Sequence, residues 1–262
     1  MMIFVTIVLA IVQGITEFLP ISSSAHLLLV PWLFSWPDPG LSFDAAIHVG
    51  TAIALLIFFS RDFIELIKRK SNLVKYIVIS TIPGAAIGFF GDKWIENNLH
   101  GSPNAPLIVG VGMIVFSGVL YMSDKLAKQK LTTADLGFKR SFLIGLAQAL
   151  ALVPGVSRSG ITISAGLWAG LKREEAARFS FLLATPISLG AGLYKIVGIL
   201  KDPTPETSLP YLVLGIIVSA LTGLVVIKWL LQYLNKHDMK VFVLYRIRLG
   251  IVVLGLYFFV NK

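Results

Sequence analysis

Six stretches of this chain, at about residues 43–60, 73–91, 104–122, 174–198, 209–233 and 239–260, stay mostly apolar over about 20 residues each, the length at which a helix crosses the hydrocarbon core of a bilayer. No other feature restricts the fold so much. Inside lipid every backbone amide and carbonyl must find its partner within the protein, so such stretches are confined to helices. Of the 262 residues, 56% are hydrophobic and 14% charged, against an apolar share of roughly 45–50% in soluble domains. The fold class predicted is an all-α membrane protein with a single integral membrane domain over residues 1–262. The opening MMIFVTIVLAIV lacks a basic n-region and a small-residue cleavage site, so the N-terminus is expected to be retained. With no cysteine, disulfides, thiolate metal sites and thiol nucleophiles drop out.

Two further apolar runs, 2–33 and 137–170, are each interrupted by a Pro-containing, Ser-rich stretch, FLPISSSAH and LVPGVSRSG. A proline removes a backbone donor and disfavours helix at the residue before it, so each run should split into two short helices, neither long enough to span. Charge then orients the whole. Connections 61–75 and 123–140 carry five Lys or Arg each, 171–178 three and 234–240 two, whereas 35–42 has none and 92–103, 201–208 and the C-terminal residue have one each. If the fifteen face the cytoplasm, as basic loops do, the spans alternate correctly only when 2–33 enters and returns on the outside and 137–170 enters and returns on the inside. Six transmembrane helices plus two re-entrant broken-helix hairpins is the predicted architecture. Topology also accounts for the net charge of +9, and no nucleic acid is expected as a partner.

The chain repeats itself. QGITEFLPISSSA (13–25) lies on QALALVPGVSRSG (148–160), with Gln13 on Gln148, Ser22 on Ser157, Ser23 on Arg158 and Ser24 on Ser159. Each copy precedes three spans, an odd number of crossings per half, so the halves, about 1–122 and 137–262, form an inverted-topology repeat. In that arrangement broken helices meet at the bilayer midplane around a binding site.

The polar residues in the breaks are costly in lipid, roughly 2.5–3.5 kcal/mol for an acidic or basic side chain on insertion scales, and so mark function. Glu17 shares a helical face with Gln13, four residues earlier. Ser22 sits where a short helix starts and reads as its cap. Ser23 and His26, three apart, share a face of that helix, which would bring imidazole near hydroxyl. In the second copy Ser157 is a cap, Arg158 offers a planar charged fork suited to phosphate oxygens, the amides of GVSRSG form an anion nest, and Thr162 adds a hydroxyl on the Arg158 face. The structural alternative is that Arg158 and Glu17 form an ion pair that only holds the halves together. Asp44 and His48 at the start of a span could belong to a second layer or face the outer interface. Tyr245, Arg246 and Arg248 read as interfacial anchors, since arginine can snorkel, and are left outside the site. GVSRSG is not the G-x-S-x-G of a nucleophile elbow, and neither a G-x-x-x-x-G-K-[ST] loop nor H-E-x-x-H occurs.

These residues suit a phosphate ester or anhydride beside a divalent cation, and they resemble the undecaprenyl-diphosphatase family, the bacitracin-resistance phosphatases of bacterial membranes. The likeness rests on an (E/Q)-x-x-x-E stretch, here Gln13 to Glu17, leading into a Ser-rich helix with histidine, and on P-G-x-S-R-S-x-x-T, here Pro154 to Thr162. The resemblance implies hydrolysis of undecaprenyl diphosphate to the monophosphate and inorganic phosphate, with Mg²⁺ or Ca²⁺, in the bacterial cytoplasmic membrane at a site open to the extracytoplasmic side. The product carries peptidoglycan and other wall precursors, and its recycling lowers bacitracin sensitivity. On this reading Glu17, Ser23, His26 and Arg158 are catalytic. Gln13, Ser24, Ser157, Ser159 and Thr162 bind substrate with Arg158, and Glu17 with Gln13 holds the metal. Ser23 attacks with His26 as base, or a water attacks directly. Membrane lipids are the other partners, and a homodimer is left open. The competing class is an inverted-repeat transporter or lipid-phosphate flippase, and a weaker third is a membrane scaffold.

Overall fold

The computed structural model describes residues 2–37, 39–201 and 208–260, and among them it contains helices but no strand. The helices are α1 (Met2–Thr16), α2 (Ser23–Phe34), α3 (Leu41–Phe58), α4 (Ser60–Lys68), α5 (Asn72–Ile95), α6 (Ala105–Leu126), α7 (Phe138–Gln148), α8 (Arg158–Trp168), α9 (Arg173–Lys201), α10 (Leu209–Leu234) and α11 (Lys240–Val260). Six of these, α3, α5, α6, α9, α10 and α11, are long and apolar enough to cross a membrane. They fall where the apolar runs place them. Proline in the first turn opens α6 and α10, where its missing amide is no loss. Residues 202–207 of the connection counted as 201–208, and the C-terminal lysine, lie outside the described residues.

One element departs from expectation. The connection at 61–75 contains α4, a nine-residue helix with no buried residue, because its charges (Arg61, Asp62, Glu65, Lys68) alternate with Ile64 and Ile67 at helical spacing. The basic connections gather at one end of the bundle. Arg178 of α9 pairs with Asp62 of α4, and Arg173 with Asp124 near the end of α6. Asp124 also accepts from the Met239 amide ahead of α11 at 3.2 Å. Four helix ends are thereby tied together, those of α3–α4, α6, α9 and α11.

The short helices form two closed pairs. At the base of α1–α2 the rings of Phe4 and Trp36 meet edge to face at 5.9 Å. At the base of α7–α8 the amides of Lys130 and Leu131 donate to the Gly170 carbonyl at 2.9 Å, and the Lys172 amide donates to Leu131 at 3.0 Å. The longest of the four, α1, has 15 residues, about 22 Å at 1.5 Å per residue, against a hydrocarbon core of about 30 Å. Around the pairs lies a core built on Phe18, Phe59, Phe179 and Phe181, all fully buried, with Phe18 and Phe59 both against Phe181. At Gly50 of α3 the backbone presses on the Ile216 carbonyl of α10 so closely that a β carbon would clash, the small-residue contact by which helices associate in lipid.

Candidate active site

The two breaks are built alike. The helix α1 ends at Thr16 and the chain turns through Glu17–Ile21, then α2 starts after Ser22 at φ 74°. A short 3₁₀ segment, Ala149–Leu152, follows α7, and α8 starts after Ser157 at φ 69°. Positive φ is strained for any residue with a β carbon, by about 1–3 kcal/mol. Both serines accept it at the aligned position. Each also pairs its hydroxyl with the serine two residues on, Ser22 with Ser24 and Ser157 with Ser159, at 3.2 Å. Their capping differs. Ser157 Oγ accepts from the Gly160 amide at 3.2 Å, while Ser22 makes no side-chain cap, so the cap expected at Ser22 is not made. Gly155, at φ +86°, lies against the Val109 carbonyl of α6 with no room for a β carbon.

At the tips the halves meet. Arg158 Nη2 donates to Glu17 Oε1 at 2.6 Å across 141 residues of sequence, and Nη1 donates to Ser188 Oγ of α9 at 2.9 Å. Glu17 Oε2 accepts from Ser23 Oγ at 2.7 Å and from Gln13 Nε2 at 3.1 Å, with His48 Nε2 3.9 Å away. Ser159 Oγ closes the junction by donating to the Leu19 carbonyl at 2.9 Å. The Glu17 and Arg158 side chains are 10% and 17% exposed, so both are largely desolvated. Buried pairs of this kind add little net stability and call for another reason to be present.

That reason is beside them. Glu17 and Arg158 line a cavity of about 210 Å³ walled by α3, α5, the 3₁₀ segment and α9, with His48, Gln148 and Ser188 as its other polar side chains. At roughly 30 Å³ per water it has room for several waters or a small anionic group. A permanent cation, a carboxylate holding a hydroxyl proton, and amide and hydroxyl groups in an apolar wall can bind a phosphate and move a proton beside it. Several polar atoms have no hydrogen-bond partner among the described residues: Gln13 Oε1, both amide atoms of Gln148 and Ser80 Oγ. Leaving such groups unpaired costs about 1–3 kcal/mol each.

Other expected residues point away. His26 does not face Ser23. Its Nδ1 lies 2.7 Å from the Ser22 carbonyl and must carry the proton there, which leaves Nε2 to accept from Tyr245 Oη at 2.6 Å. The two rings stack at 5.6 Å, on the wall of a separate apolar groove between α1, α10 and α11. The spacing suits Ser23, but the phenol of α11 captures the ring. Thr162 Oγ1 bonds the Arg158 carbonyl at 2.8 Å and Ser180 Oγ at 2.6 Å, satisfying itself against α9 instead of reaching the cavity. Ser24, Ser157 and Ser159 serve the breaks themselves.

Of the residues read as anchors, Tyr245 stays 42% exposed while its hydroxyl meets His26, and Arg246 turns out to be internal, held by the backbone. Arg246 is fully buried. It donates to the carbonyls of Pro20 at 3.1 Å, Gly155 and Val156 at 3.0 Å and Met113 at 3.4 Å, and to Ser117 Oγ at 3.2 Å. It thus ties carbonyls of both breaks to α6 and α11. Its position six residues into α11 allowed snorkelling, but carbonyls freed by two breaks hold a guanidinium more strongly than the interface does. Arg248 is exposed, as an anchor should be. Of the two placements open to His48 the structure takes the one beside the site, and Gln148, which the sequence only aligns with Gln13, joins it on the cavity wall. Ser188 carried no signal, being one serine in an apolar helix.

Comparison with known proteins gives the family. The model of the family described as bacitracin resistance protein BacA matches residues 6–252. An undecaprenyl-diphosphatase of Desulforudis audaxviator is 45% identical over 259 residues, covering 96% of each chain. Those of Pelotomaculum thermopropionicum, 44% identical over 98% of this chain and 97% of the relative, and Alcanivorax borkumensis, 43% identical over 96% and 97%, are similar. Agreement over nearly the whole length, through both breaks and all six apolar helices, means that the chain belongs to the bacitracin resistance protein BacA family.

Proposed function

We propose that the chain is an undecaprenyl-diphosphate phosphatase, which adds water across the phosphoric anhydride of undecaprenyl diphosphate to give undecaprenyl phosphate and inorganic phosphate, and so recycles the wall-precursor carrier and confers bacitracin resistance. The observation that carries it is the Arg158–Glu17 contact at 2.6 Å on the cavity wall, read with relatives that bear this enzyme's name. Arg158, steadied by Ser188, takes the diphosphate oxygens, and the isoprenoid stays in lipid among the helices. Ser23 already donates its hydroxyl proton to Glu17, so Glu17, in place of His26, is the group in reach of an attacking hydroxyl, whether from Ser23 or from a water in its place. The proton passes to that carboxylate as the terminal phosphorus is attacked and its bond to the bridging oxygen breaks, undecaprenyl phosphate leaving; on the Ser23 route a water then hydrolyses the phosphoserine to release inorganic phosphate.

Mg²⁺ or Ca²⁺ belongs to the same proposal. The donor chemistry fits: Glu17 supplies one carboxylate and Gln13 an unpartnered buried Oε1, both hard oxygens, and Mg²⁺ is commonly held by one or two carboxylates plus substrate phosphates. The ion would neutralise charge on the leaving phosphate.

We further read the two closed pairs as re-entrant hairpins of an inverted repeat in the bacterial cytoplasmic membrane. Their bases lie toward opposite ends of α3, the second beside the basic connections. The cavity is walled by the first turns of α3 (Ala45, His48) and the second half of α9 (Ser188, Ala191), away from those connections, which favours an extracytoplasmic opening. Phosphate release by purified protein given undecaprenyl diphosphate, run beside lipid flux in proteoliposomes, tests the proposal. Flux without phosphate release would make it a transporter.

A further inference from the structure

We infer that Gln148 is a headgroup-binding residue, whose Nε2 donates to a phosphate oxygen of the diphosphate lying between it and Arg158. This deepens the phosphatase reading and rests on it.

Gln13 and Gln148 occupy the same place in the two copies of the repeat, one turn before the break. In the first copy the residue four further on is Glu17, which accepts from Gln13 Nε2 at 3.1 Å. In the second copy that position is Leu152, whose side chain cannot accept. Gln148 therefore keeps the side chain of its counterpart without the counterpart's partner. It is 3% exposed, and neither Nε2 nor Oε1 has a hydrogen-bond partner among the described residues.

Its surroundings do not explain it as packing. Gly84 of α5 faces it, and a β carbon there would sit in ordinary contact 3.6 Å from Nε2; α5 makes no hydrogen bond to the amide, and the Ser80 hydroxyl one turn away is itself unpaired. An apolar side chain would fill the same volume with no unpaired dipole. Gln148 does line the cavity that holds Glu17, Arg158, His48 and Ser188. A primary amide suits a phosphate anhydride there because it can donate without adding a charge that would hold the product. A second arginine would bind both states and slow release.

The test is Gln148→Met, an unbranched apolar side chain of the same length, with Gln148→Ala as a second variant. Both are purified in detergent beside wild type. Initial rates of phosphate release from undecaprenyl diphosphate give kcat and KM, and thermal melts are recorded without substrate. Loss of one hydrogen bond to an anionic oxygen should lower kcat/KM about tenfold or more, tenfold being 1.4 kcal/mol, mainly through KM. The substrate-free melting temperature should stay level or rise in Q148M, since an unpaired buried amide has been removed. A structural role would lower it. Wild-type kcat/KM in both variants, or a lowered melting temperature in both, overturns the inference while leaving the phosphatase reading intact. Absence of phosphate release from wild type overturns that reading instead.

Discussion

Arg246→Met is the most informative perturbation, because its effect can be worked out from two directions. The guanidinium makes five hydrogen bonds, to four carbonyls and Ser117 Oγ. Methionine fills much of its volume and donates nothing. Counted by groups stranded, the carbonyls of Pro20, Gly155 and Val156 lie where helices are broken, and about 1 kcal/mol each, the low end for a buried unpaired group, gives about 3 kcal/mol. Counted instead by hydrogen bonds removed, five at the average of about 0.6 kcal/mol for polar interactions between helices in membranes again give about 3 kcal/mol. For a chain of this size each kcal/mol moves the melting temperature by about 2–4 °C, so R246M should melt roughly 6–12 °C lower in detergent. Arg246 does not line the cavity, but it holds Pro20 beside Gly155 and thus sets Glu17 against Arg158. A displacement of about 1 Å there can cost on the order of a hundredfold in rate. Arg246→Lys, with three donors but no planar fork, should fall between. If R246M melts within about 2 °C of wild type and keeps full turnover, the breaks are held by something else and Arg246 does not align them.

The remaining predictions separate the roles around the cavity. Arg158→Ala should lower kcat/KM by about 10²–10³-fold, the scale of removing one preorganised donor to a developing charge, and Ser23→Ala should lower kcat by at least about 10²-fold; steady-state rates near wild type would remove either residue from the reaction. His26→Asn, which keeps a donor for the Ser22 carbonyl, and Tyr245→Phe should each retain more than about a tenth of the turnover, as positioning changes off the cavity do. A well-folded H26N as inactive as S23A would return the base role to His26. Excess chelator should abolish turnover and added Mg²⁺ or Ca²⁺ restore it, and an unchanged rate in chelator would take the cation out of the scheme.

The sequence alone determined the apolar elements, though not the exposed helix α4. Apolar runs of bilayer length located all six long helices, since nothing else satisfies the backbone in lipid. The two prolines with their serines located both breaks, because the cause there is local and steric. Charge in lipid likewise marks Glu17 and Arg158 from the sequence alone, and they lie 2.6 Å apart. What stayed hidden depends on partners far away in the chain. His26 has the right spacing for Ser23, yet Tyr245, 219 residues on, takes its ring. Arg246 looks like any arginine near a membrane end until two sets of freed carbonyls arrive around it. Gln148 and Ser188 are ordinary polar residues in apolar helices whose position on one cavity wall follows from how α7 and α9 pack. Local sterics and hydropathy are properties of a segment and can be read from it. Which donor meets which acceptor is a property of the assembled bundle, and only tertiary structure decides it.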